Sequence, residues 1–147
     1  MPTLELEDCI NYLLTTVQHQ VFQLMSTALA PYNITPGQYG VLNCLWTGRG
    51  DTPKDVAQVL NLETSTVSGL LDKMQKRGVI DRMTNTADRR GIQILLTPEG
   101  EALREPISAA IRDVNAQVLS DLSPEEAAGL LSGLRSLMSR LCCQVEP

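Results

Sequence analysis

Residues 53–78 read PKDVAQVLNLETSTVSGLLDKMQKRG, and their punctuation decides the fold. Thr52 can cap a helix while Pro53 fills its first position, where a missing N–H costs nothing. Pro53 to Leu60 therefore reads as a short helix, closed by Asn61-Leu62 because asparagine tolerates left-handed backbone at a tight turn. A second helix begins near Glu63 or Thr64 and carries Val67, Leu70, Leu71 and Met74 on one face as far as Gly78. Two short helices joined by about three residues make a helix-turn-helix.

Beyond Gly78 the period changes. Val79 to Met83 and Gly91 to Leu96 are short and rich in branched residues, and the polar residues 84–90 join them, which is the pattern of a β-hairpin. Its tip, Asn85-Thr86-Ala87-Asp88-Arg89-Arg90-Gly91, sets two arginines side by side. Outside this centre the chain is helical. A first helix spans about residues 5–30, with Leu6, Ile10, Leu13, Val17, Val21, Leu24 and Ala28 on one stripe. A second, about 36–47, carries Tyr39, Val41, Leu42, Leu45 and Trp46 and stops at Thr47-Gly48-Arg49-Gly50. From Thr97 onward Leu103, Ile107, Ala110, Val114 and Val118 form one stripe, then Leu130, Leu134, Leu137 and Leu141 another. Thr35-Pro36, Thr52-Pro53, Thr97-Pro98 and Ser123-Pro124 share one helix-start chemistry, and Ser123 with Glu126 and Thr35 with Gln38 have capping-box spacing.

The chain of 147 residues has a formal net charge of −5, yet residues 49–90 hold eight Lys/Arg against six Asp/Glu. The remaining 105 residues hold four basic and eleven acidic groups, so a basic patch sits on an acidic body. Such asymmetry suits docking on a polyanion through one surface. The helix opening Thr64-Ser65-Thr66, with Ser68 close behind, offers small hydroxyls that reach base edges or phosphates without filling a major groove. Lys54 and Lys73 are candidate phosphate contacts, with Arg82 beside them on the hairpin. Arg89 or Arg90 would enter the minor groove, and Asp88 would accept turn hydrogen bonds that fix the tip. A plain solvated face, with Thr64 or Ser65 as a simple cap, is the competing structural reading.

Other classes fare worse. A single histidine, His19, with no nucleophile elbow, phosphate loop or metal cluster, gives no convergent catalytic group, so no enzyme and no cofactor is expected. Cys9, Cys44, Cys142 and Cys143 lack zinc-ligand spacing. Aromatic residues are only 3% of the chain, which argues against base stacking on a sheet. No run of 18 apolar residues exists and the N-terminus is acidic, so a cytoplasmic protein without membrane contact is expected. A winged helix used only for protein contacts is the closest rival function.

Pro53-Lys54-Asp55-Val56-Ala57, Leu70-Leu71-Asp72-Lys73-Met74, Lys76-Arg77-Gly78 and above all Asp88-Arg89-Arg90 followed by Leu96-Thr97-Pro98-Glu99-Gly100 carry a resemblance. They are similar to winged-helix regulators of the multiple antibiotic resistance regulator (MarR) family, over nearly the whole chain. The expected fold is mostly α with a small β-hairpin wing, a winged helix-turn-helix of about six helices. Residues 35–96 would form the DNA-binding lobe, and 1–34 with 97–147 a helical dimerisation region, in a single compact chain.

The resemblance implies an intertwined homodimer reading a palindromic double-stranded DNA operator, usually as a repressor released by a small aromatic or phenolic acid. The stripes on 6–28 and 103–141 support the dimer, being more apolar surface than one lobe covers; Leu6, Ile10, Leu13, Leu119, Leu130, Leu134, Leu137 and Leu141 are the candidate interface residues. The family's ligand pocket would here draw on Tyr12, His19, Phe22, Tyr39 and Trp46, with Arg49 nearby. A cysteine-based redox switch is the alternative. The position of the reactive cysteine in peroxide-sensing members falls on Asn11, while Cys9 points about 200° around the helix, and Cys142-Cys143 offers a second thiol pair.

Overall fold

The computed structural model of the chain describes residues 1–84 and 91–142. Seven α-helices and one antiparallel hairpin occur among them: α1 (Ile10–Leu29), α2 (Pro36–Trp46), α3 (Pro53–Leu60), α4 (Thr64–Arg77), β1 (Ile80–Thr84), β2 (Ile92–Leu96), α5 (Pro98–Ala102), α6 (Arg104–Val118) and α7 (Pro124–Cys142). The strands pair from Ile80 opposite Leu96 to Thr84 opposite Ile92.

All four hydroxyl–proline pairs start helices. Thr35 Oγ1 accepts from the Gln38 N–H at 3.2 Å while Gln38 Oε1 accepts from the Thr35 N–H at 3.1 Å, a complete capping box. Ser123 and Glu126 form the second box. Thr52 and Thr97 each accept from an amide three residues on, at 3.1 Å. Each cap is worth about 1 kcal/mol. Asn61 closes α3 at φ 55°, in the left-handed conformation expected of it.

The core lies where α2, α3, α4 and the hairpin meet. Val67, Leu71 and Met74 of α4 are fully enclosed with Leu42, Val56, Val79, Ile80 and Ile94, and Leu29 and Ile107 close it from the terminal helices. The Leu96-Thr97-Pro98-Glu99-Gly100 motif is a fastening for this core. A Cβ on Gly100 would collide with the Val79 carbonyl oxygen, and the Gly100 carbonyl accepts the Trp46 indole N–H at 3.1 Å. Trp46, placed in the ligand set from the sequence, is thus a core residue at 6% exposure. Its one polar atom is already satisfied, as a buried indole requires.

Two helices are broken where the sequence reading ran them on. The first is interrupted at Cys9, an extended residue between a 3-10 turn, Leu6–Asp8, and α1. The segment after Thr97 divides at Leu103 into α5 and α6. Pro106 explains the second break: it has no N–H for the Ala102 carbonyl, and its ring crowds that same carbonyl.

The apolar stripes also divide differently from expectation. Ile107 and Val114 of α6 are buried, because α6 packs on α1 within the chain. The uncovered surface lies elsewhere: residues 10–20 of α1 are all exposed, and α7 buries none of its residues. Leu6, Ile10, Leu13, Leu130 and Leu141 are exposed, and Leu119, Leu134 and Leu137 are half-buried.

Candidate nucleic-acid interface

At about 100° per residue, the exposed side of α4 has a crest and two flanks. Ser65, Gly69 and Lys76 lie along the crest; Asp72 and Gln75 lean toward the hairpin; Lys73 and Arg77 lean toward the α1–α2 turn. Val67, Leu71 and Met74 hold the opposite face in the core, which fixes the crest outward.

Thr64, Ser65, Thr66 and Ser68 are all exposed. None is a cap: Glu63 is the N-cap residue, and it makes no side-chain cap bond either. The simple-cap reading of Thr64 or Ser65 therefore fails, and the first turn of α4 presents several hydroxyls and orphan amides to solvent together. Lys54, at the second position of α3, and Lys73 of α4 are both exposed.

The hairpin is held from both strands, by α4 on one side and by the α2–α3 loop on the other. Arg82 of β1 sends Nη2 to Asp72 Oδ1 at 2.7 Å and Nε to Gln75 Oε1 at 2.8 Å. On β2 the Ile94 N–H donates to the Asp51 carbonyl at 2.7 Å, and Gln93 Nε2 donates to Asp51 Oδ2 at 3.0 Å. The sequence reading put Arg82 among the DNA contacts; in the structure its guanidinium is committed to α4. It ties the hairpin to the exposed side of α4. Asp51, Gln75 and Gln93 were missed because their partners are 42 and 7 residues away along the chain, beyond any local pattern. Asp88, Arg89 and Arg90, which the sequence reading gives to the hairpin tip, lie outside the described residues, as does Cys143.

The residues of the aromatic set differ in burial. Tyr12, His19 and Phe22 are exposed on α1, with His19 Nε2 3.3 Å from the Gln23 amide nitrogen. Tyr39 is half-buried and its hydroxyl accepts from Asn43 Nδ2 at 3.4 Å. Burial pushes the Tyr39 phenol up, with the Asn43 hydrogen bond opposing part of that.

Comparison with known proteins decides what this surface belongs to. A family model described as "MarR family" matches residues 34–92. The transcriptional regulator MgrA of Staphylococcus aureus is 33% identical over 126 residues, covering 85% of this chain and 84% of that protein. The chain belongs to the MarR family. Two solved relatives fit along nearly its whole length. A cysteine-to-serine mutant of Escherichia coli MarR complexed with operator DNA superposes with a TM-score of 0.81 at 25% identity, covering 88% of this chain and 93% of that one. CouR from Rhodococcus jostii RHA1, bound to p-coumaroyl-CoA, superposes with a TM-score of 0.78 at 26% identity, covering 92% and 95%.

As a MarR-family protein the chain is a transcriptional regulator and not an enzyme. Its motifs now have distinct structural origins: Asp72 of the Leu-Leu-Asp-Lys-Met segment anchors Arg82, and Gly100 seats α5 on the Val79 carbonyl. Among the described cysteines of this MarR-family chain, Cys44 is buried, Cys9 is half-buried at the α1 N-cap, and Cys142 is exposed at the end of α7. Burial pushes the Cys44 thiol up, with the charge of Arg49 opposing it. Among the described residues no helix is long and apolar enough to cross a membrane.

Proposed function

We propose that the protein is a homodimeric repressor that binds a palindromic DNA operator and leaves it when a small aromatic or phenolic acid binds. The observation that carries the DNA reading is the uncapped, hydroxyl-bearing first turn of α4, exposed to solvent as Lys54 and Lys73 also are. Thr64, Ser65, Thr66 and Ser68 read base edges in the major groove, and the lysines hold phosphates. Arg89 or Arg90, aimed by Asp88, reaches the minor groove from the wing tip. Arg82 positions that wing through Asp72 and Gln75. The E. coli MarR complex with operator DNA supports the operator-binding part of this reading.

Residues 35–96 act as the DNA-binding lobe, and 1–34 with 97–147 as the dimerisation region. Leu6, Ile10, Leu13, Leu119, Leu130, Leu134, Leu137 and Leu141 face the partner, whose surface covers what one chain leaves open. The same closure completes a pocket around Tyr12, His19, Phe22 and Tyr39, and the p-coumaroyl-CoA complex of CouR supports an aromatic acyl ligand. Hydroxybenzoates and cinnamates should raise the melting temperature of the free protein and release it from DNA. Release by peroxide and by no aromatic acid would replace this reading with a cysteine switch.

A further inference from the structure

The exposed side of α4 carries a glycine near its centre. Gly69 is two residues from both Val67 and Leu71, so at about 100° per residue it stands almost opposite that pair. Val67 and Leu71 are 0% and 1% exposed, while Gly69 is exposed between Ser65 and Lys76 on the crest. Glycine is the weakest helix former after proline, and Gly69 sits in the interior of a 14-residue helix.

Packing explains the glycines of α2: a Cβ on Gly37 would stand 3.2 Å from Leu70, and one on Gly40 3.1 Å from Leu60. A Cβ on Gly69 would meet nothing within 4 Å, so the fold itself gives no reason for glycine there. Gly129 and Gly133 are equally open, on α7, which buries none of its residues. Gly69 differs from them in its surroundings. Between Ser65 and Asp72, about 10 Å along the axis, it is the one residue on the crest, and Asp72 is drawn toward the hairpin by Arg82 at 2.7 Å. An α-helix with its side chains is about 10–12 Å across, and the major groove is about 12 Å wide and 8.5 Å deep, so a helix enters with little clearance. The short hydroxyls of Ser65 and Ser68 reach base edges only when the helix sits deep, and a crest without a side chain at its middle lets it do so.

We propose that Gly69 is a specificity-determining position, at which the α4 backbone lies against base-pair edges of the major groove with no side chain between them. This role rests on the DNA reading above and deepens it.

Full-length wild-type protein first selects its preferred duplex from a randomised pool. Gly69→Ala and Gly69→Leu, the latter unable to hydrogen-bond a base, are then compared with it on that duplex and on a random one, by anisotropy at fixed salt. Both variants should melt at a higher temperature than wild type at equal protein concentration, because each places a better helix former in open space. Both should bind the selected duplex more weakly, about tenfold in Gly69→Ala, as one methyl added to a close-packed contact implies, and further in Gly69→Leu. Random-duplex affinity comes from phosphate contacts and should stay within about twofold of wild type. Unchanged or raised affinity for the selected duplex in either variant, an equal loss on both duplexes, or a lowered melting temperature would overturn the role of Gly69 alone, with the wild-type selection leaving the DNA reading standing. Failure of the wild type to enrich any sequence would overturn both.

Discussion

An arginine whose guanidinium lies 2.7 Å from one carboxylate oxygen and 2.8 Å from an amide oxygen already uses two of its five N–H donors within the protein. Arg82→Gln should therefore lower operator affinity by loosening the wing while leaving the slope of affinity against salt unchanged. Its side chain is 28% exposed and that of Asp72 59%, so the stability loss in urea titration should stay under about 1 kcal/mol. Lys54→Ala should do the reverse, flattening the salt slope by about 0.9 with no change in stability. The hydroxyls separate in the same way. Thr35→Ala removes a working cap and should cost about 1 kcal/mol. Ser65→Ala, which caps nothing, should stay within about 0.5 kcal/mol of wild type and weaken operator binding by about 1–3 kcal/mol. Cys44 gives a pH test. Its folded-state pKa is raised, so its contribution to stability is complete below the ordinary thiol pKa and is lost as pH rises through the raised value. Alkylation of Cys44 at pH 8 should accordingly run no faster than the protein opens, as hydrogen exchange of α2 would show.

At the scale of elements, the best-read features were those with local causes. A hydroxyl followed by proline acts within one turn of chain, and all four such pairs cap helices in the structure. Asn61 and Gly78 end α3 and α4 for equally local reasons, both at positive φ. The break at Leu103 was also local, since Pro106 forces it, but a continuous apolar stripe from Leu103 to Val118 masked it. What sequence could not supply was the fate of polar atoms whose partners are distant. The Trp46 indole finds Gly100 across 54 residues, and the Arg82 guanidinium finds Asp72 across 10. Gly100→Ala tests the α5 fastening: with the Val79 carbonyl in the way of a Cβ, it should cost about 1–3 kcal/mol in a chemical melt.

At the scale of the molecule, periodicity identified apolar stripes but not which of them the chain covers by itself. The α6 stripe and the α1 stripe look alike in sequence; α6 lies on the C-terminal part of α1, and this leaves the other end of α1 and most of α7 open. Exposed Ile10 and Leu130 belong to that open surface. If it is the dimer interface, the melting temperature should rise with protein concentration, and Ile10→Glu with Leu130→Glu should give monomers in sedimentation velocity. Two lobes held by that surface would read half-sites about one helical turn apart. The direct measurement is an anisotropy titration of the protein against DNA flanking its own coding region and a random duplex of equal length, from about 50 to 200 mM salt. The flanking DNA should bind about 10³-fold tighter or better, with affinity falling steeply as salt rises. Equal affinity for the two duplexes, with a flat salt response, would contradict the DNA-binding account.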